Sequence, residues 1–282
     1  MSVSPSVAVS RVTFAAGLAL APIIAGGEAA AQSKLEASYT ISFARIPVGS
    51  ITATSEIDNA EYTTAMSGKA SAILRVLAGG EGTLAASGRV TDGRLIPLRY
   101  QSNTTADDDT LDVTMTFEDG NVKELTASAP PPAADRVAVS EGDRRGVVDP
   151  LTALLVAAAD GGDGVTESAC QRTLAIFDGR RRFDLRLAFK RIDRVKAEQG
   201  YAGPAVVCAV TFQPIAGHRT SSPLVKFLSD GRDIELALAP IPGTRVLAPF
   251  RLAVTNMLGN LVVQANRFET TPRASTTTGR AR

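Results

Sequence analysis

Four of the six Asp-Gly pairs in this chain, at 92–93, 119–120, 178–179 and 230–231, lie beside a stretch in which apolar and polar residues alternate. Asp-Gly suits the two left-handed backbone positions of the tight turn that sends one strand back antiparallel to the last. An apolar repeat of two belongs to a strand with one buried face, whereas a helix needs a repeat near 3.6. In "LDVTMTF", 111–117, Leu111, Val113, Met115 and Phe117 share one face, and Asp112, Thr114 and Thr116 the other. "IELAL", 234–238, puts Ile234, Leu236 and Leu238 on one face and reads as a second half-buried strand. "SYTISFARIPVGSITATSEI", 38–57, reads as two strands with a bend at Pro47 and Gly49, and "GTLAASGRVTDGRLIPLRYQS", 82–102, as two more. The expected fold is all-β and mainly antiparallel: a large meander curled into an open half-barrel or β-spiral.

One segment breaks the pattern. "DPLTALLVAAAD", 149–160, offers Asp149 as N-cap, Pro150 at the first helical position and Gly161-Gly162 as a stop. It is apolar nearly all round, so a buried helix is expected near 150–159. The Pro-rich, polar stretch 128–146 reads as a long loop. Two β-rich halves, 35–127 and 165–269, are thus joined by the loop and helix of 128–160 into one domain, 32–269. The tail 270–282 is expected to be disordered.

The first 31 residues read as a secretory leader. Arg11 precedes an apolar run from Val12 to Ala25, and Ala29-Ala30-Ala31 forms a small-residue cleavage site. The apolar run is too short for a stable transmembrane span and no Cys follows it as a lipid anchor point. The mature protein is expected in the periplasm. Its net charge of +1 becomes about −2 once Arg273, Arg280 and Arg282 of the tail are set aside, so no basic field is left for nucleic acid. No later segment approaches a membrane span.

"ACQRTLAIFDGRRRFDLRL", 169–187, is the most distinctive stretch. With Asp178-Gly179 as a two-residue turn, Phe177 would face Arg180, Leu174 would face Phe183, and Cys170 would face Leu187. Phe183, Leu185, Leu187 and Phe189 then share the inner face; Arg182 and Arg186 form an outward basic row with Asp184 between them. That row has two readings: a solvated strand face with ion pairs, or an anion or partner contact. The two cysteines, Cys170 and Cys208, both have apolar neighbours on their own faces, and in an oxidising compartment they should form a structural disulfide. A redox pair is not suggested, since Cys-x-x-Cys is absent.

His218, the only histidine, stands in "PIAGHRTSSP", read as a loop, with Arg219 beside it. A hydrolase reading would recruit Ser221 or Ser222 and a distant Asp, but no Gly-x-Ser-x-Gly elbow supports it. One His without a local acid or thiol cluster makes a poor metal site. "DDD", 107–109, lacks the spacing of a calcium loop, and "LAGGEG", 77–82, lacks the Lys of a phosphate loop. No catalytic residue, cofactor or metal is assigned.

The opening strand pair "LEASYTISFARIPVGSITATSEI", the "FDGRRRFDL" stretch with its continuation to "CAVTFQPIAGHR", and "DPLTALL" occur in an order that resembles the domain of unknown function 3108 family, in its exported alphaproteobacterial form. The resemblance covers about 35–268 and implies an exported envelope protein with a mostly antiparallel β fold; it implies no activity. The expected role is non-catalytic: binding an envelope protein or polymer through a β surface. The alternative is a carrier holding a lipid or other apolar ligand in the half-barrel, which a large open apolar cavity would favour over a filled core. A hydrolase using His218 comes third. N-terminal sequencing of the exported protein should begin within two residues of Gln32; an intact Met1 in the envelope fraction would refute the leader.

Overall fold

The computed structural model describes residues 33–70, 80–91, 93–106, 109–129, 133–158, 164–230, 233–256 and 259–272. The expected leader, the Gly161-Gly162 helix stop and residues 273–282 of the tail lie outside them. The strands among the described residues form one mainly antiparallel sheet whose ladder does not close on itself. Its first half runs as a meander: β1 (Ser33–Phe43), β2 (Ile46–Ile57), β3 (Glu61–Ala70), β4 (Gly80–Thr91), β5 (Arg94–Ala106), β6 (Asp109–Glu118) and β7 (Asn121–Ala127). After the crossing segment come α1 (Pro150–Leu154), β8 (Val156–Ala157) and β9 (Arg172–Phe177). The second half continues with β10 (Arg182–Lys196), β11 (Gln199–Gly200), β12 (Ala202–Ala216), α2 (Pro223–Ser229), β13 (Asp233–Ile241), β14 (Val246–Asn256) and β15 (Gly259–Pro272).

The two halves join where the ends of the fold meet. β1 pairs with β15 along its whole length, from Ser33 opposite Pro272 to Phe43 opposite Leu261. β15 therefore runs three residues past the expected boundary at Glu269, because β1 supplies partners for them. The free edges of the sheet, β7 and β9, come from the middle of the chain. The segment between them spans the gap: Val147 N donates to Gly120 O in the β6–β7 turn, and Val148 N to Ala175 O on β9.

Turn chemistry departs from expectation in two places. The β1–β2 turn is Ala44-Arg45, both with positive φ (48° and 70°), rather than a bend at Pro47 and Gly49. The β9–β10 turn spans four residues: Asp178 N donates to Arg181 O, and the Asp178 carboxylate accepts from the N–H groups of Arg180 and Arg181. This Asx-type cap lengthens the loop, so Phe177 faces Arg182 and Leu174 faces Leu185. The slip is two residues, which keeps Phe183, Leu185 and Leu187 on their expected face. Asp230 is the C-cap of α2 rather than part of a turn between two strands, and Gly231 lies outside the described residues.

β13 was expected to be half-buried, yet Leu236, Ala237, Leu238 and Ala239 are all buried. The tip of the β10–β12 hairpin bends across it, and β11 lies parallel to β15. Val195, Ala205 and Val207 of that hairpin cover Ala237. β10 is irregular between Phe189 and Arg191, and Phe189 is 40% exposed instead of facing inward.

Cys170 and Cys208 are bonded, with Cα atoms 5.4 Å apart. The bond ties a 3₁₀ turn, Glu167–Cys170, to β12 rather than joining two adjacent strands. Both cysteines are fully buried in the cluster that holds Leu187, Val206 and Leu238.

α1 begins as its signature dictates: Asp149 accepts from Leu151 N and Thr152 N, and Pro150 occupies the first turn. It ends at Leu154, sooner than expected, because Val156 and Ala157 pair with Leu247 and Val246 of β14. Within this short plug, Leu151 joins the core of the β4–β7 half, Leu155 that of β1–β3 and β15, and Val156 the disulfide cluster. Asp149 is fully buried; Thr152 Oγ1 donates to its carboxylate, and the Tyr62 hydroxyl lies 2.7 Å from Thr152 Oγ1. Tyr62 itself packs over Gly88, where a Cβ would lie 2.6 Å from the ring.

Burial pushes the Asp149 carboxyl up to about 6 against the hydrogen bonds it accepts. The folded state then holds a proton there that the unfolded chain has released, so stability is fullest below about pH 4 and falls as pH rises through 6, by on the order of 3 kcal/mol. Asp149→Asn keeps the cap and should remove this slope. The check is the wild-type-minus-variant difference in urea unfolding free energy between pH 4 and 7; a flat difference contradicts it.

Candidate functional site

The curled sheet encloses a cavity of ≈ 520 Å³ between its two halves. Leu84, Tyr100 and Val113 of β4–β6 form one wall. Leu185 and Phe183 of β10, with Val210 and Phe212 of β12, form the other. These are the inward-facing positions of the period-two pattern, and the Phe183 and Phe212 rings stand 5.5 Å apart.

α2 covers the opening. Ser222 caps it by accepting from Val225 N, and Pro223 fills the first turn. Leu224, Val225 and Leu228 face the cavity, yet none of the helix is buried, and Leu224 is 52% exposed. "SSPLVKFLSDG" carries the same Ser/Asp-Pro start as α1, a signal the loop reading of this region missed.

The rim is rich in arginine, with Asp178 among its residues. Arg180, Arg181, Arg182 and His218 all line the cavity. Arg181 pairs with Asp178 at 2.8 Å and Arg182 with Asp184 at 2.6 Å. His218 Nδ1 and Arg180 Nε are buried without a hydrogen-bond partner. Gly217, with φ +79°, brings its chain against the β9–β10 turn so closely that a Cβ would meet Arg180 O at 1.8 Å. That approach sets His218 beside the arginine turn.

Of the four contact residues suggested by the sequence, Arg182 and His218 thus meet at one site. Arg182 was expected on an outward face, but its side chain is only 12% exposed. The curl of the sheet brings this end of β10 under the crossing segment, so a strand end that alternation alone marks as solvated becomes a wall. Arg186 does lie exposed on β10, away from the cavity. Arg219 is also outside it, paired with Asp135 at 3.1 Å.

The hydrolase geometry gains no support. Ser221 Oγ donates to Asp135 Oδ2 at 2.5 Å, and Ser221 N and Arg219 Nε donate to the same carboxylate. Those bonds hold Asp135 well below the usual carboxylate range, which makes it a weak base. A Ser221–His218 hydrogen bond is not among those made by the described residues. Nor do they include a group of three His, Cys, Asp or Glu placed to hold a metal. No helix among them is long and apolar enough to cross a membrane.

A second depression of ≈ 600 Å³ lies on the opposite, exposed face of β2–β6, between Thr52, Ser67, Thr83, Asn103 and Thr114. It is an open groove walled mainly by small hydroxyl, amide and Ala side chains.

A curled antiparallel sheet around an apolar cavity, with a buried helical plug, defines the architecture. The chain belongs to the DUF3108 family, described as a protein of unknown function, whose model matches residues 38–266. It is similar in structure to the β-barrel-like protein of domain of unknown function DUF1849 from Brucella abortus, with a TM-score of 0.45 and 10% identity over 84% of this chain and 98% of that one. No curated protein matches the chain in sequence.

Arg182→Ala should cost about 1–3 kcal/mol, since it strands the Asp184 carboxylate and removes the bond to Phe183 O. Arg186→Ala, on the exposed part of the same strand, should stay within about 0.5 kcal/mol. Urea unfolding of both decides the matter; equal effects would contradict the site assignment.

Proposed function

We propose that this protein is a non-catalytic carrier of a small apolar or amphiphilic molecule, exported to the periplasm and held there in oxidised form. The observation that carries this reading is the ≈ 520 Å³ cavity, walled by Leu, Val and Phe and open at α2. Its size falls in the roughly 300–1,000 Å³ range of small-molecule sites. A core built only for stability would fill such space with side chains, because empty apolar volume costs stability. α2 supports the reading: a helix with an apolar side over the cavity and no buried residue is a cover that can move at little cost. The buried disulfide fits an oxidising compartment, in line with the leader.

The groove on the outer face of β2–β6 favours a second reading, contact with a polymer or partner. It offers hydroxyl and amide groups already hydrated, and little apolar area to desolvate. The cavity supplies the larger driving force. Burying a dodecyl chain yields roughly 9 kcal/mol at ~0.8 kcal/mol per methylene. After an association cost of at least about 4 kcal/mol, at most about 5 kcal/mol remains, which sets the tightest expected Kd at about 0.2 mM.

Leu185→Trp, which extends a wall residue into the empty space, tests the reading. The wild type should enhance the fluorescence of N-phenyl-1-naphthylamine saturably, and dodecanol should displace the dye. In Leu185→Trp the saturable signal should fall at least ~10-fold with the melting temperature maintained. A wild-type protein that shows no saturable, displaceable binding overturns the carrier.

A further inference from the structure

Arg180 lines two cavities. Besides the apolar one, it borders a smaller space of ≈ 260 Å³ that Arg136 and Arg144 also line. The three come from different elements: Arg136 from the segment that crosses between the sheet edges, Arg144 from the 3₁₀ turn Glu141–Arg144, and Arg180 from the β9–β10 turn. Among the described residues, no Asp or Glu lines this space. Arg180 and Arg144 each have a buried Nε with no hydrogen-bond partner.

The carboxylates around the space are engaged elsewhere. Asp178 accepts from Arg181 Nε and from two backbone N–H groups of its own turn. Asp143 accepts from the backbone and hydroxyl of Ser140, completing the capping box. Asp135 is held by Arg219 and Ser221, and Asp112 accepts from Asn103 Nδ2 at 2.6 Å. What Arg180 has is a long 3.4 Å contact from Nη2 to Asp112 O. Arg136 is fixed in place by donating from Nη1 to Gly217 O at 2.8 Å. Burial lowers the Arg180 guanidinium from its ordinary value; the Asp178 charge opposes this, the Arg181 and Arg136 charges add to it, and Asp112 opposes it slightly. Leaving guanidinium donors buried and unpaired is unfavourable, and a tetrahedral or planar oxyanion would satisfy them with charge-assisted bonds.

We propose that Arg136, Arg144 and Arg180 form an oxyanion site that takes the phosphate or carboxylate head of an amphiphile whose apolar body occupies the adjoining cavity. This rests on the carrier reading for the body of the ligand, while the oxyanion site stands on the arginines alone. Arg180, on the wall of both spaces, is the residue that joins head to chain.

The test is calorimetric titration of the full mature protein, at low salt, with dodecyl phosphate, dodecanol and inorganic phosphate. Dodecyl phosphate should bind at least ~10-fold more tightly than dodecanol, and the gap should shrink as salt rises. In the Arg136→Gln/Arg144→Gln double variant that gap should close, with dodecanol affinity unchanged. Equal affinity of the wild type for dodecyl phosphate and dodecanol overturns the oxyanion site and leaves the carrier standing. Binding of inorganic phosphate without dodecanol binding supports the site, identifies free phosphate as its source, and overturns the carrier. Should the double variant fail to fold, the wild-type comparison of the two dodecyl ligands decides the proposal alone.

Discussion

Everything in this structure turns on how residues 147–158 fit between two sheet edges. A thirteen-strand path that does not close must expose two edges and leave a hollow inside. Here both problems meet one solution. Val147 and Val148 give hydrogen bonds to one edge region and the other, and the next turn of chain enters the hollow as α1. Successive apolar residues of that turn then go to three separate core clusters. The cost is a buried carboxyl, Asp149, which starts the helix where no water can reach. Its bonds to two N–H groups and to Thr152 repay part of the desolvation, and Tyr62 extends the network to β3.

The plug fills only part of the hollow, and what it leaves open is the apolar cavity. Pro150 of α1 lines that cavity, so the same element that ties the core together also bounds the site. The disulfide braces the opposite side by anchoring the 3₁₀ turn before β9 to β12. The rigid parts of the site are therefore the sheet walls and the plug, while α2 is the lightly held part. The partly buried Phe227 and Leu228 tie it to the disulfide cluster. For the proposed carrier, fixed walls and a weakly packed cover suit capture and release of a ligand with little rearrangement of the fold.

The arginine turn shows how local and long-range effects combine. Asp178 caps its own turn, so Arg180 and Arg181 fall in a four-residue loop and Arg182 opens β10. Two of them find carboxylates, Asp178 and Asp184, within the hairpin itself. The remaining one, Arg180, points to a region that exists only because the crossing segment comes back over the sheet with Arg136 and Arg144. Charge in this corner is thus balanced locally for Arg181 and Arg182, while Arg180 keeps a buried Nε without a hydrogen-bond partner.

What the sequence alone determined was whatever depends on neighbours in the chain. Period-two alternation marked the inward faces of β6 and β10, and Asp149-Pro150 marked the start of α1, because pleat and cap are local geometry. The cysteine pairing was legible because both residues sat among apolar neighbours. Even the mistaken hairpin register kept Phe183 and Leu185 on the correct face, since it slipped by two. Only the tertiary structure decided where α1 ends, since β14 claims Val156 and Ala157. It alone buried both faces of β13, by bending the β10–β12 hairpin across it, and turned Arg182 from an outward charge into a cavity wall. Nor could the alternation say that the half-barrel is hollow: the pattern states which side chains point inward, while the space left among them depends on how far the sheet curls before its edges are bridged.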